Sequence, residues 1–169
     1  MRSKLALRDL SILGVTLLLW QLDASLRSGG STSVAMSVGV AAGVLTAVCG
    51  YFFHEWGHLA GAAWVKAVVH HPSTLAAVFL FQFDSDRNDR RQFLGMSFGG
   101  FAASAIAVTA LLAWLPTDAL AGRLALTLTL LGVVATVVLE FPPAWRVARG
   151  APIPTGAAYR SSDEDRAAA

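Results

Sequence analysis

Charge is scarce in this chain. Charged side chains make up 14% of its 169 residues, against about 25% in an ordinary soluble domain. The 13 basic and 11 acidic groups are too few to keep a soluble surface of this size dispersed. Disorder is excluded too, because it needs low hydrophobicity and high charge. Cysteine is scarcer still. Cys49 is the single one, so neither a disulfide within the chain nor a cysteine-based metal site can be built. It reads as a small buried apolar residue.

What is abundant is apolar: 55% of the residues, with a mean hydropathy of +0.57. The charges cluster and leave four gaps. Leu10 to Leu22 carries none, and Asp23 then interrupts it. Val34 to Phe53 is free of charge over 20 residues and Gln92 to Thr117 over 26, while Ala119 to Leu139 holds only Arg123. A helix needs about 20 apolar residues to cross a bilayer core. The expectation is an all-α integral membrane protein with about four transmembrane helices, at 10–27, 34–58, 93–115 and 119–141. Residues 1–150 form the multi-pass membrane domain. Residues 151–169, rich in Pro, Gly, Ser and Ala, read as a flexible cytoplasmic tail. No internal repeat is visible.

The N-terminal Arg2, Lys4 and Arg8 also suit a signal peptide. Only Ser31 to Ser33 offers a weak cleavage site, so an uncleaved first helix is the reading adopted. Eleven of the 13 basic residues fall on one side of a four-span topology; Arg27 and Arg123 fall near the other. The positive-inside rule places both termini and the 66–91 connection in the cytoplasm, in the plasma (cell inner) membrane. The basic balance thus reports topology, and no nucleic-acid partner is needed to explain it. Within 66–91, Phe79, Phe81 and Phe83 alternate with Leu80 and Gln82, which reads as a short membrane-associated strand.

The chemistry sits at the end of span two, in His54-Glu55-Trp56-Gly57-His58. This is H-E-x-x-H. On a helix, positions i and i+4 share a face, so both histidines can hold one metal ion. Zn2+ suits neutral imidazoles with an open position, and it makes a bound water acidic. Glu55 is placed to take the proton from that water and pass it to a leaving amine. The bland alternative is three polar groups snorkelling at a helix end. Ionisable groups beside a span are costly and mark functional cavities, which favours the metal.

A catalytic zinc usually has three protein ligands. Glu140, at the cytoplasmic end of span four, is the acid at the depth of His54; its alternative role is to pair with Arg146 or Arg149. Asp84, Asp86 and Asp89 are on the same side but in a charged turn. His70 and His71 are adjacent, point in different directions, and read as solvated interface histidines. Gly99 and Gly100 allow span three to approach span two closely.

The segment His54-Glu55-Trp56-Gly57-His58-Leu59-Ala60-Gly61-Ala62 resembles the H-E-x-G-H-x-x-x-A signature of the site-2 protease family of zinc intramembrane metalloproteases. Gly100-Phe101-Ala102-Ala103-Ser104 lies where that family has Gly-Pro-x-x-Asn, with Phe for Pro and Ser for Asn. Glu140-Phe141-Pro142-Pro143 matches the family's Asn-x-x-Pro only at the proline, and Ala148 falls where its Leu-Asp-Gly acid is expected. The third ligand is then Glu140, or an acid of the 84–89 turn, or the site is degraded. The resemblance implies a compact member without the inserted peptide-binding domain. It also implies that the Phe79, Phe81 and Phe83 strand binds an extended substrate by strand addition.

The expected function is zinc-dependent cleavage of a peptide bond in or near a transmembrane segment of a partner protein, on the cytoplasmic side. The expected partners are the lipid bilayer, a transmembrane protein substrate, and an oligomeric or accessory membrane subunit. The rival is a non-proteolytic membrane scaffold or chaperone that keeps the fold. A metal transporter is weaker, because spans three and four offer almost no ionisable groups for a pathway.

Overall fold

A computed structural model describes residues 2–30 and 32–160. In chain order it contains helices α1 (Arg2–Ser28) and α2 (Thr32–Trp64), then strands β1 (Val69–His70) and β2 (Gln82–Asp84). Helices α3 (Arg90–Trp114), α4 (Leu120–Leu139) and α5 (Phe141–Ala148) follow, and β3 (Tyr159–Arg160) comes last. Four helical stretches are long and apolar enough to cross a membrane: Arg2–Ser28, Ser33–Trp64, Arg90–Trp114 and Leu120–Ala148. Leu18, Ile106, Leu131 and Val138 lie exposed on them. Such a surface is a liability in water and a fit to hydrocarbon.

Helix α2 is the hub. Helices α1, α3 and α4 each pack on it, whereas α3 and α4 touch each other little. The α2–α3 contact is close because it is lined by glycine. A Cβ on Gly99 would collide with the Gly57 carbonyl oxygen, and one on Gly100 would collide with the His58 ring. Backbones at this distance gain van der Waals packing that lipid cannot supply.

Helix α2 extends to Trp64, so the H-E-x-x-H motif lies inside the helix rather than at its end. Apolar Leu59 to Trp64 carry the helix on. His54 is about 33 Å along α2 from its start, and Glu140 about 30 Å along α4, at 1.5 Å per residue. Both lengths match the thickness of a hydrocarbon core, about 30 Å. Helix α4 stops there for a chemical reason. Pro142 and Pro143 lack the N–H groups that would bond back to Val138 and Leu139, so the chain breaks at Glu140. That residue caps the end of α4 and the start of α5.

The strands form a small sheet in the order β1-β2-β3. β1 pairs antiparallel with β2, Val69 opposite Phe83. β3 pairs parallel with β2, Phe83 opposite Tyr159. Beneath lies a large apolar cluster, with Leu5, Leu59, Leu80, Phe83, Phe93 and Val147.

Two expectations need correction. The strand expected over Phe79 to Phe83 begins only at Gln82. Residues around Leu80 cannot join a ladder because side chains hold their backbone: the Leu80 N–H donates to Glu55 Oε2 at 3.3 Å, and His71 Nδ1 donates to its carbonyl at 3.0 Å. The tail, expected to be flexible from residue 151, returns to the sheet as β3. It accepts hydrogen bonds from the N–H groups of Phe83, at the Ala158 carbonyl, and of Ser85, at the Arg160 carbonyl. These donors would otherwise form an open sheet edge. Residues 161–169 of the expected tail lie outside the described residues.

Candidate metal centre

His54 and His58 stand one turn apart on α2, with ring centroids 4.4 Å apart. Helix α3 fixes both rings. His54 Nδ1 lies 3.1 Å from the Gly100 carbonyl oxygen and 2.9 Å from Ser104 Oγ. His58 Nδ1 lies 3.0 Å from the Met96 carbonyl oxygen. A carbonyl only accepts, so this network assigns the ring hydrogen to Nδ1 in both cases. In the neutral imidazoles each Nε2 is then left with a lone pair.

Those two Nε2 atoms are 3.0 Å apart. Glu140 meets them with both carboxylate oxygens, Oε1 at 3.3 Å from His54 and Oε2 at 3.1 Å from His58. One ligand atom from each of the three residues can be chosen so that all lie within 4.8 Å of one another. An ionised carboxylate is acceptor-only. Three electron-pair donors thus converge with no hydrogen among them to share. Such an arrangement is unfavourable alone and is relieved by a cation. Two imidazoles and one carboxylate suit zinc, and the Nδ1 contacts to α3 are the outer shell that such ligands need.

Glu55 is 6% exposed and His54 5%, while the Glu140 side chain is 39% exposed. The cluster is therefore approached from the Glu140 side. The opposite side is roofed by the segment before β2. Tyr51 donates its hydroxyl hydrogen to the Val78 carbonyl at 2.9 Å, and the Leu80 N–H orients Glu55. Arg8 pins that roof from α1, donating to the carbonyls of Leu75 and Ala77. Its guanidinium also lies over the Phe52 ring. Trp56 donates to Asp9 at 2.8 Å. Arg2 reaches His71 in the same way. The start of α1, the 66–91 connection and β3 therefore gather at one end of the bundle.

The other candidates are used elsewhere. Asp89 caps α3, accepting from the Gln92 N–H at 2.8 Å, and the Gln92 side chain returns the bond. Asp84 is 2.8 Å from His70 Nε2 and accepts from the N–H groups of Asp86 and Arg87. Burial opposes ionisation of Asp84, but the His70 bond and these N–H groups outweigh it and hold the carboxyl below its ordinary range. Among the described residues, His54, His58 and Glu140 are the one group of three arranged for a metal. His70 and His71 stay outside it.

Of the three phenylalanines expected to line a substrate strand, Phe83 is fully buried and Phe81 nearly so, while Phe79 is partly exposed. Phe83 is core. β2 is the central strand, held by β1 and β3 on its two sides. Tyr159 of β3 lies near the cluster: burial, with the Glu140 carboxylate adding, pushes its hydroxyl up to about 12. The roof contacts from Arg8 and Tyr51 were not foreseen from sequence. An arginine just inside an apolar helix was the available signal.

The fold and the site together define a helical protein with four helices apolar enough to cross a membrane and a His-His-Glu cluster at one end of its bundle. Comparison with family models finds no match, and comparison with curated proteins and with solved structures finds none either.

Proposed function

We propose that this chain is a zinc-dependent intramembrane metalloprotease of the site-2 protease type. It would hydrolyse a peptide bond in or near a transmembrane segment of a partner protein, at the cytoplasmic face. The observation that carries this reading is the convergence of His54 Nε2, His58 Nε2 and the Glu140 carboxylate beside a buried Glu55.

His54, His58 and Glu140 would hold the metal, and α3 would orient both rings through Gly100, Ser104 and Met96. Zinc, when bound, supplies Lewis acidity that makes water a nucleophile near neutral pH. Glu55 receives the proton from the attacking water and delivers it to the leaving amine. The Leu80 N–H holds one Glu55 oxygen in place. Glu140 takes the part that the resemblance assigns to the acid missing at Ala148. An extended substrate would pair with an outer edge of the sheet, at β1 or β3, or take the place of β3, since β2 is already paired on both sides. The basic residues gathered at this end of the bundle support a cytoplasmic location for it.

The test is metal content and cleavage measured on the same preparations in detergent. One zinc per chain is expected, lost in Glu140→Ala. Glu55→Gln is expected to keep the zinc and to lose the 10²–10⁴-fold that a general base contributes. A chain without zinc, whose cluster is held by an extra proton on one ring, would instead support the scaffold reading. That reading draws on the departure at Ala148.

A further inference from the structure

Beside the His54 ring, where its Nδ1 meets Ser104, the weakly packed α3 and α4 leave a crevice against α2. It has a volume of about 70 Å³ and is lined by Tyr51, His54, Ser104, Thr129, Gly132 and Thr136, among others. Thr129 is 7% exposed, and its hydroxyl has no hydrogen-bond partner among the protein groups. It points toward α2, with Oγ1 3.7 Å from where a Cβ on Gly50 would stand. Gly132 is exposed at the rim of the crevice, and a Cβ there would meet nothing within 4 Å. Thr129, Gly132, Thr136 and Glu140 follow one another at i, i+3, i+7 and i+11. Thr129, Thr136 and Glu140 form one polar stripe on α4 that runs to the metal cluster, with Gly132 beside it.

We propose that this crevice is a water-binding site inside the membrane. Its volume is several times the ~10–15 Å³ that one water requires, and a bound water needs two to four polar partners. Thr129 Oγ1 and Ser104 Oγ line it as partners for one water, and Thr136 Oγ1, two turns from Thr129 along α4, for a second. Ser104 accepts from His54 Nδ1 and still has its own hydrogen to donate. An unpartnered hydroxyl buried in a dry crevice would cost stability; a bridging water removes that cost. The water site stands without the protease reading. Its use as the reserve for hydrolysis at the adjoining cluster rests on that reading.

Thr127 provides an internal control. It lies two residues from Thr129 at nearly the same depth, but it is exposed on the outer face of α4. Water-edited solid-state NMR of the full chain in phosphatidylcholine bilayers measures how fast each threonine receives magnetisation from water. Thr129 is expected to build up several-fold faster than Thr127. Equal, slow build-up at both would overturn the proposal. Thr129→Val gives a second readout, the thermal midpoint. With water in the crevice the midpoint stays level or falls, and a clear rise would mean that the hydroxyl had been dry and unpaired. Neither readout involves zinc or cleavage, so the water site and the protease reading fail separately.

Discussion

Two histidine–carboxylate groupings lie at the same end of the molecule and differ in one respect. At His70 and Asp84 the hydrogens match the lone pairs. The ring meets one carboxylate oxygen and two backbone N–H groups meet the other. At His54, His58 and Glu140 the ring hydrogens point away, to carbonyls of α3, and only lone pairs face inward. The residue types are nearly the same, and the groups that bond to them decide the outcome. Where the surroundings supply donors, a histidine and an aspartate make a strut. Where they supply only acceptors, the same chemistry is left open for a cation.

The strongest way to break this contrast is to exchange the histidines. His54→Ala is expected to lower zinc affinity by more than the roughly 10–100-fold typical of an outer-shell loss. His70→Ala should leave it unchanged. Equal losses, read by competition with a chelator, would mean that the two groupings are not distinct. A smaller effect sharpens the role of α3. Ser104→Ala removes one of two partners of His54 Nδ1, and a loss of about tenfold in zinc affinity is expected, at the low end of that range because the Gly100 carbonyl remains. Glu55→Gln, in contrast, should leave affinity close to that of the parent.

The smallest effect concerns the satisfied pair. The carboxyl of Asp84 titrates below its ordinary value near 3.8 in the folded chain. Its contribution to stability is therefore fully present above that value and is lost as pH falls through the lower folded value. Asp84→Asn should flatten this acid arm in a denaturation series between about pH 5 and pH 2. Zinc content at neutral pH should not change. An unaltered acid arm in the variant would show that other carboxylates govern it.

The four long helices were legible because a charge in hydrocarbon is costly, so the absence of charge marks where the chain can lie. His54, Glu55 and His58 were legible for a local reason: their spacing of one turn makes a site on any helix. Glu140 was a candidate by depth alone, among several acids. What separated it from Asp84 and Asp89 was local bonding, a cap at Asp89 and a strut at Asp84. The strand was misplaced because alternation in Phe79 to Phe83 reports two faces, not which backbone groups are free to pair. Glu55 and His71 hold the backbone of Leu80 and push the strand to Gln82. The tail was misjudged on composition, since its pairing partner β2 lies some seventy-five residues away in the chain.

By itself, the sequence determined four long apolar helices, able to cross a membrane, and one helix face bearing H-E-x-x-H. Both follow from short-range rules, the transfer cost of charge and the 3.6-residue turn. Tertiary structure alone decided which carboxylate meets the histidines, which ring nitrogen faces it, and what roofs Glu55. Those outcomes depend on carbonyls, carboxylates and strand edges brought together from distant segments. No local pattern encodes how lone pairs and hydrogens will balance once they meet.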